Sequence, residues 1–215
     1  GRVRSPDHRF LAVLVTLWLF HGTTALPAAD IAASRTLTSA ADRSLLENSL
    51  AAELRIVDAE TRGALEQQLV AIATDATATL DGRQLACRAL QLCATERAAA
   101  ALAPLLADSE MADHARLVIE GVPSSVADLA LIAALGKTDG DLLRGVIVSL
   151  AARGTGAAFV PLSELVVRTD EPTAILALRA LAAVARDAAD VNAIAALAVG
   201  ESEALLVAQQ ESFFT

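Results

Sequence analysis

From about Ala94 onward the chain repeats one unit, a pair of Ala- and Leu-rich helical segments, at a spacing of roughly thirty residues. Such a period belongs to stacked helical arrays, because a single helix pair cannot bury its apolar face alone. The paired segments are 96–107 with 111–120, 124–135 with 141–153, 156–168 with 172–186, and 188–199 with 203–210. Each pair carries an acidic or glycine-bearing turn at its middle, at Asp108, Gly136 to Asp141, Asp170 to Pro172 and Gly200. Those residues stop one helix and cap the next, and Pro172 suits a first turn. Apolar period and turn chemistry agree at four successive places, so the expected fold is all-α, an αα-solenoid over 94–215 preceded by N-terminal helices in 34–93.

Those earlier helices are expected at 41–57, with Leu45, Leu46, Leu50 and Leu54 on one face, at 61–74, and at 82–94. Residues 74–81 read as a loop or helix end closed by Asp81 and Gly82, and 31–39 as a polar, small-residue linker. Composition agrees with helix: the chain is 54% hydrophobic, nearly a quarter of it is Ala, and aromatic residues amount to one Trp, five Phe and no Tyr. Ala has the highest helix propensity and lets helices approach closely.

Residues 1–33 read as a signal peptide and short linker. Arg2, Arg4 and Arg9 supply a basic start, 10–20 a mostly apolar core, and 21–29 a small, polar exit. The apolar core is shorter than the ~20 residues a membrane span needs. Thr23 to Ala25 is the best cleavage site, with cuts near Ala28, Ala29 or Ala33 as alternatives and an uncleaved anchor as the other reading. No cysteine follows until Cys87, so a lipid-bearing N-terminal Cys is not expected. The expected location is exported, periplasmic or extracytoplasmic. Gly1 in place of Met, and a closing stretch 211–215 that breaks the repeat, lead us to expect either a piece of a longer protein or a last helix capped from outside.

Formal charge is −9; removal through Ala29 leaves 14 basic and 25 acidic residues, or −11. Lys137 is the single lysine and the arginines are scattered, so no basic stripe offsets this field and nucleic acid is not an expected partner.

Asp170-Glu-Pro-Thr-Ala-Ile-Leu-Ala-Leu-Arg-Ala-Leu181 resembles the turn and second helix of a HEAT repeat, with Ala174 and Ile175 standing where that family carries an early arginine. A longer stretch, from Gln84 to about Val184, looks like the exported HEAT-repeat proteins of planctomycetes and related bacteria: Gln84-Leu-Ala-Cys-Arg-Ala-Leu-Gln-Leu-Cys-Ala-Thr95, Val118-Ile-Glu-Gly-Val-Pro123, Ala133-Ala-Leu-Gly-Lys137 and Gly145-Val-Ile-Val-Ser-Leu150. The resemblance implies an interaction module, in that family often fused to c-type haem or sugar-hydrolase-like domains.

Catalytic constellations are not visible. His8 and His21 fall in the leader, leaving His114, whose i, i+4 neighbour Glu110 is joined by no second His or Cys on that helix. Cys87 and Cys93, six apart on one expected helix, stand ~9 Å along its axis, beyond the ~7 Å a disulfide bridges; they read as small buried apolar residues, not a zinc pair or haem attachment. Gly136-Lys137-Thr138 matches the end of a phosphate-binding loop, but Leu131 occupies the first glycine position and no strand precedes it. Ser124, Ser125 and Ser163 have no His–Asp pair to activate them. Carboxylates at Asp139, Asp141, Asp170 and Glu171 lie in turns, where helix N-termini attract them.

The expectation is therefore a non-catalytic, exported HEAT-like scaffold: no catalytic, cofactor or metal residues, no cofactor, and another protein as partner. The second helices, around 144–150 and 176–184, are expected to line its inner surface. The alternative is a docking segment of a larger periplasmic haem-containing or carbohydrate-active protein. A bilin-lyase or DNA base-excision activity is opposed by the leader and the charge.

Overall fold

The computed structural model describes residues 31–32, 34–37, 40–197 and 202–212. Of the expected leader and short linker, 1–33, residues 1–30 and 33 lie outside the described residues, as do the expected end of the helix at 199 and the closing residues 213–215. Among the described residues are eleven α-helices and no strand. We label them α1 (Ala40–Ile56), α2 (Ala59–Ala73), α3 (Leu80–Leu90), α4 (Glu96–Leu102), α5 (Ala112–Gly121), α6 (Ser125–Ala134), α7 (Gly140–Arg153), α8 (Phe159–Arg168), α9 (Glu171–Val184), α10 (Ala188–Ala195) and α11 (Glu203–Glu211). Short 3-10 turns occupy Ser34–Thr36, Ala103–Ala107 and Gly156–Ala158. The chain is all-α.

The helices form two layers. In the second layer α1, α3, α5, α7, α9 and α11 touch in succession; in the first, α2, α4 and α6 do so. Beyond α6 the first layer loosens: α6 meets the 3-10 turn ahead of α8, while α8 and α10 lean on α9. The buried positions explain the contacts. In α9, Ala174, Ala177 and Ala180 alternate with Leu178, Leu181 and Val184, so small residues admit the neighbouring backbone and large ones fill the gaps. The core is one continuous cluster from Ile31 to Ala208.

Polar caps set the starts of α4, α6 and α10, whereas α8 follows Ala158 with no side-chain cap. Thr95, Ser124 and Asp187 each hold an extended backbone and accept from a backbone N–H two residues on, at 3.4, 3.0 and 2.9 Å. Gly154 ends α7 in the left-handed region at φ 61°, where its N–H reaches the carbonyls of Leu150 and Ala151 at 3.1 Å.

Local pattern misplaces three features. Of the expected linker 31–39, residues 31–32 and 34–37 are described, and they are docked: Ile31 and Ser34 are 1% exposed, and the turn Ser34–Thr36 packs on α3. The tie is long-range, since the Thr79 N–H donates to the Arg35 carbonyl at 2.8 Å and its hydroxyl to the Leu37 carbonyl at 2.9 Å. The helix expected at 82–94 runs from Leu80 to Leu90, because Thr79 caps it through Gly82 N at 3.2 Å; Cys93 therefore sits in the following turn and shares no helix with Cys87. The helix expected at 96–107 becomes 3-10 from Ala103, where Pro104 cannot donate a helical hydrogen bond.

Arg153, at the end of α7, joins three helices. Its Nε is 2.6 Å from Asp128 Oδ1 on α6, and its other nitrogens donate to the carbonyls of Glu120, Val122 and Ser124 at 2.7, 2.7 and 3.1 Å. The Glu120 carbonyl lies in the last turn of α5, which lacks intrahelical donors, whereas Val122 and Ser124 also accept from Ser124 N and Ala127 N at 2.9 and 3.1 Å. The side chain is 10% exposed, so its loss strands the Asp128 carboxylate and the Glu120 carbonyl in a largely dry seam. Arg153→Met is expected to lower unfolding stability by about 3 kcal/mol, read from urea denaturation, whereas Arg168→Met, at an exposed pair, shifts it by no more than ~0.5 kcal/mol.

Candidate functional site

The residues singled out by chemistry do not converge. His114 is half-buried in α5; its Nδ1 has no hydrogen-bond partner among the described residues, and Glu110 does not pair with it. Burial lowers the His114 pKa, the positive charge of Arg88 adds to that, and Asp113 opposes it. A neutral imidazole is thus favoured. Cys87 and Cys93 are free and buried. Burial pushes Cys87 up to about 12 against the pull of Arg83 and Arg88, and Cys93 to about 11 with help from Glu66. Neither is a poised nucleophile.

The glycines and Lys137 form the exposed α6–α7 turn, where Gly140 takes φ 49° and the Thr138 hydroxyl donates to the Ala134 carbonyl at 2.8 Å. Ser124 caps α6, and the Ser163 hydroxyl donates to the Phe159 carbonyl at 2.9 Å. Among the turn carboxylates, Asp141 pairs with Arg144 and Glu171 accepts from the Ser202 hydroxyl at 2.8 Å. Asp139 and Asp170 sit at N-cap positions without side-chain caps. Among the described residues no group of three or more His, Cys, Asp or Glu is arranged to hold a metal ion.

Two polar clusters stand out that sequence pattern missed. Glu66, 2% exposed on α2, accepts from Thr95 N and Thr95 Oγ1 at 2.7 Å and from Arg97 at 3.1 Å. It lines a cleft of about 400 Å3 with Arg62, Cys93, Thr95 and Arg97. Burial alone would raise its pKa, but the Thr95 hydroxyl, the Thr95 N–H and Arg97 together outweigh it and hold the carboxyl below its ordinary value of 4.5. In the second layer, Arg116 of α5 lies over Gly145 of α7, where a Cβ would stand 3.0 Å from its Nε. Arg116 donates to Ser149 Oγ at 2.8 Å, and Ser149 donates to Glu120 at 2.6 Å. Gly145, a glycine inside an apolar helix, was the available signal for that close approach. Both clusters are joints between successive helix pairs, although Arg62 Nε beside the first and Arg116 Nε in the second are buried without a hydrogen-bond partner among the described residues.

What faces outward differs between layers. Leu129 on α6, Val160 on α8 and Val191 on α10 recur about thirty residues apart and are 63, 66 and 37% exposed, with Val167 also exposed on α8. Next to Leu129 a cleft of about 250 Å3 runs between α4 and α6, lined by Ala100, Pro104, Ala130 and Ala133 with Lys137 at its edge. The corresponding second-layer positions are Leu117, Val148 and Arg179, with Asp113 and Arg144 beside them. Both faces are mixed: on α8 the exposed pair Glu164–Arg168 lies among Val160 and Val167, and the first-layer face carries the larger exposed apolar side chains.

No family model and no curated protein sequence matches this chain. Among solved structures it is similar to the crystal structure of an engineered protein, at 20% identity, over 86% of this chain and 95% of that one, with a TM-score of 0.47.

Two solution measurements check these environments. Because the folded carboxyl of Glu66 titrates below its unfolded value, its contribution is present above the ordinary carboxylate range and fades as pH falls through the folded pKa. Glu66→Gln is expected to cost about 2 kcal/mol at neutral pH, with the gap to wild type closing on acidification in urea titrations. At about pH 8, where an ordinary thiol is partly ionised, neither cysteine should react with iodoacetamide until the protein is unfolded; rapid labelling of the native state would contradict the buried placement.

Proposed function

We propose that this chain is a non-catalytic, exported interaction scaffold, an αα-solenoid of HEAT-like repeats whose first-layer helices hold another protein. The observation that carries the reading is the recurrence of exposed Leu129, Val160 and Val191 about thirty residues apart on α6, α8 and α10. Large apolar side chains left in water at a repeat interval present a partner with evenly spaced apolar sites. The solenoid reading is supported by second-layer helices that pack each on the one before it, and by caps that recur at Thr95, Ser124 and Asp187. Net charge disfavours a nucleic-acid partner. Among the described residues no helix is long and apolar enough to cross a membrane.

The test is cross-linking of the tagged full chain in its own compartment, with quantification of the captured protein. The double variant Leu129→Glu/Val160→Glu is expected to lose at least ~10-fold of that capture while changing stability by no more than ~0.5 kcal/mol per exposed site. Capture that survives this variant but is abolished by Arg144→Glu/Arg179→Glu would move the interface to the second-layer face. A partner processed catalytically by the purified chain would overturn the scaffold reading itself.

A further inference from the structure

Residues 31–37 have no place in a removable leader. Ile31 belongs to the continuous core, and Ser34, equally buried, donates from its hydroxyl to the Ile31 carbonyl at 2.6 Å. The segment is held against α3 and the turn before it: Thr79 donates to the carbonyls of Arg35 and Leu37, and Arg35 pairs with Asp75. Gly82 completes the fit, since a Cβ there would stand 2.0 Å from the Ser34 carbonyl oxygen. A side chain at that position could not coexist with the docked segment.

We infer that residues 31–37 are a retained strap of the folded protein and that proteolytic processing of the N-terminal segment ends before Ile31, with Ala25–Leu26 as the expected bond. The inference rests on the export reading proposed above. A cut after Ala33 would strip Ile31 from the core. It would also create an ammonium group on Ser34, which is 1% exposed, and an unpaired buried charge is strongly disfavoured. Cuts after Ala28 or Ala29 spare the strap but set Leu26 or Pro27 three residues from the cut, whereas Thr23 and Ala25 offer small side chains at both recognition positions. The reaction is hydrolysis by a peptidase that selects small side chains. The Ala25–Leu26 amide bond breaks, water supplies hydroxyl to the Ala25 carbonyl carbon and a proton to the Leu26 nitrogen, and nothing is oxidised or reduced.

The full chain, expressed in a secreting bacterial host, would be purified from the exported fraction and its N-terminal peptide determined by mass spectrometry. A start at Leu26 is expected, and any start from 26 to 31 supports the inference. A start from 32 to 38 overturns it while leaving export standing; an uncut chain in the exported fraction overturns the cut alone, and a chain absent from that fraction overturns the export reading. The strap is tested separately in the full chain by trypsin cleavage after Arg35, which requires local release of the segment. Gly82→Ala, and Thr79→Val as a milder variant, are expected to raise that cleavage rate by at least ~10-fold and a few-fold respectively. Rates equal to wild type in both variants overturn the strap.

Discussion

The structure depends on the unbroken contact between alternate helices in the second layer. Once α3, α5, α7, α9 and α11 lie side by side, the first-layer helices have only one surface against which to place their own apolar faces. That contact is close because the chain puts Ala where backbones meet and Leu or Ile where space remains, as Ala177, Leu178, Ala180 and Leu181 do in α9. Dispersion and burial accumulate over the whole stack, and no pair of helices is stable by itself. The loosening of the first layer after α6 does not divide the core, since α7, α9 and α11 remain in register behind it.

Polar side chains act within this frame as joints. Arg153 donates to the carbonyls at and just after the end of α5, Glu66 ties α2 to the start of α4, and Arg116 lies across Gly145 between α5 and α7. Arg186 uses the same device within one pair, since a Cβ on Gly156 would fall 2.4 Å from its Nε. The first three joints link a helix pair to the next. A buried polar group that is fully partnered fixes a single register; one that loses a partner costs more than an apolar contact.

The same arrangement decides what is left for a partner. Carboxylates, serines and glycines that might suggest chemistry are occupied in caps, turns and ion pairs. The large apolar side chains on the first layer are not consumed by packing. This division is why the functional reading rests on a surface and not on a set of reacting groups.

Much of the fold was legible locally. The helix pairs from Glu96 onward follow from apolar period and turn chemistry, which act over three or four residues; the expected caps do not all form, since Asp139 and Asp170 make no side-chain cap and Ser124 and Asp187 do. The strap at 31–37 was not legible, because its polar composition reads as a linker and its partners, Thr79 and Gly82, lie more than one helix pair away. Nor were the arginine joints, since an arginine at a helix end looks the same in sequence whether it faces water or another helix's carbonyls. By itself the sequence determined the helical class and the helix segments from Glu96 onward, both properties of short windows. Tertiary structure alone decided which apolar residues are buried and which, like Leu129 and Val160, stay in water, because that depends on how successive helices rotate against one another.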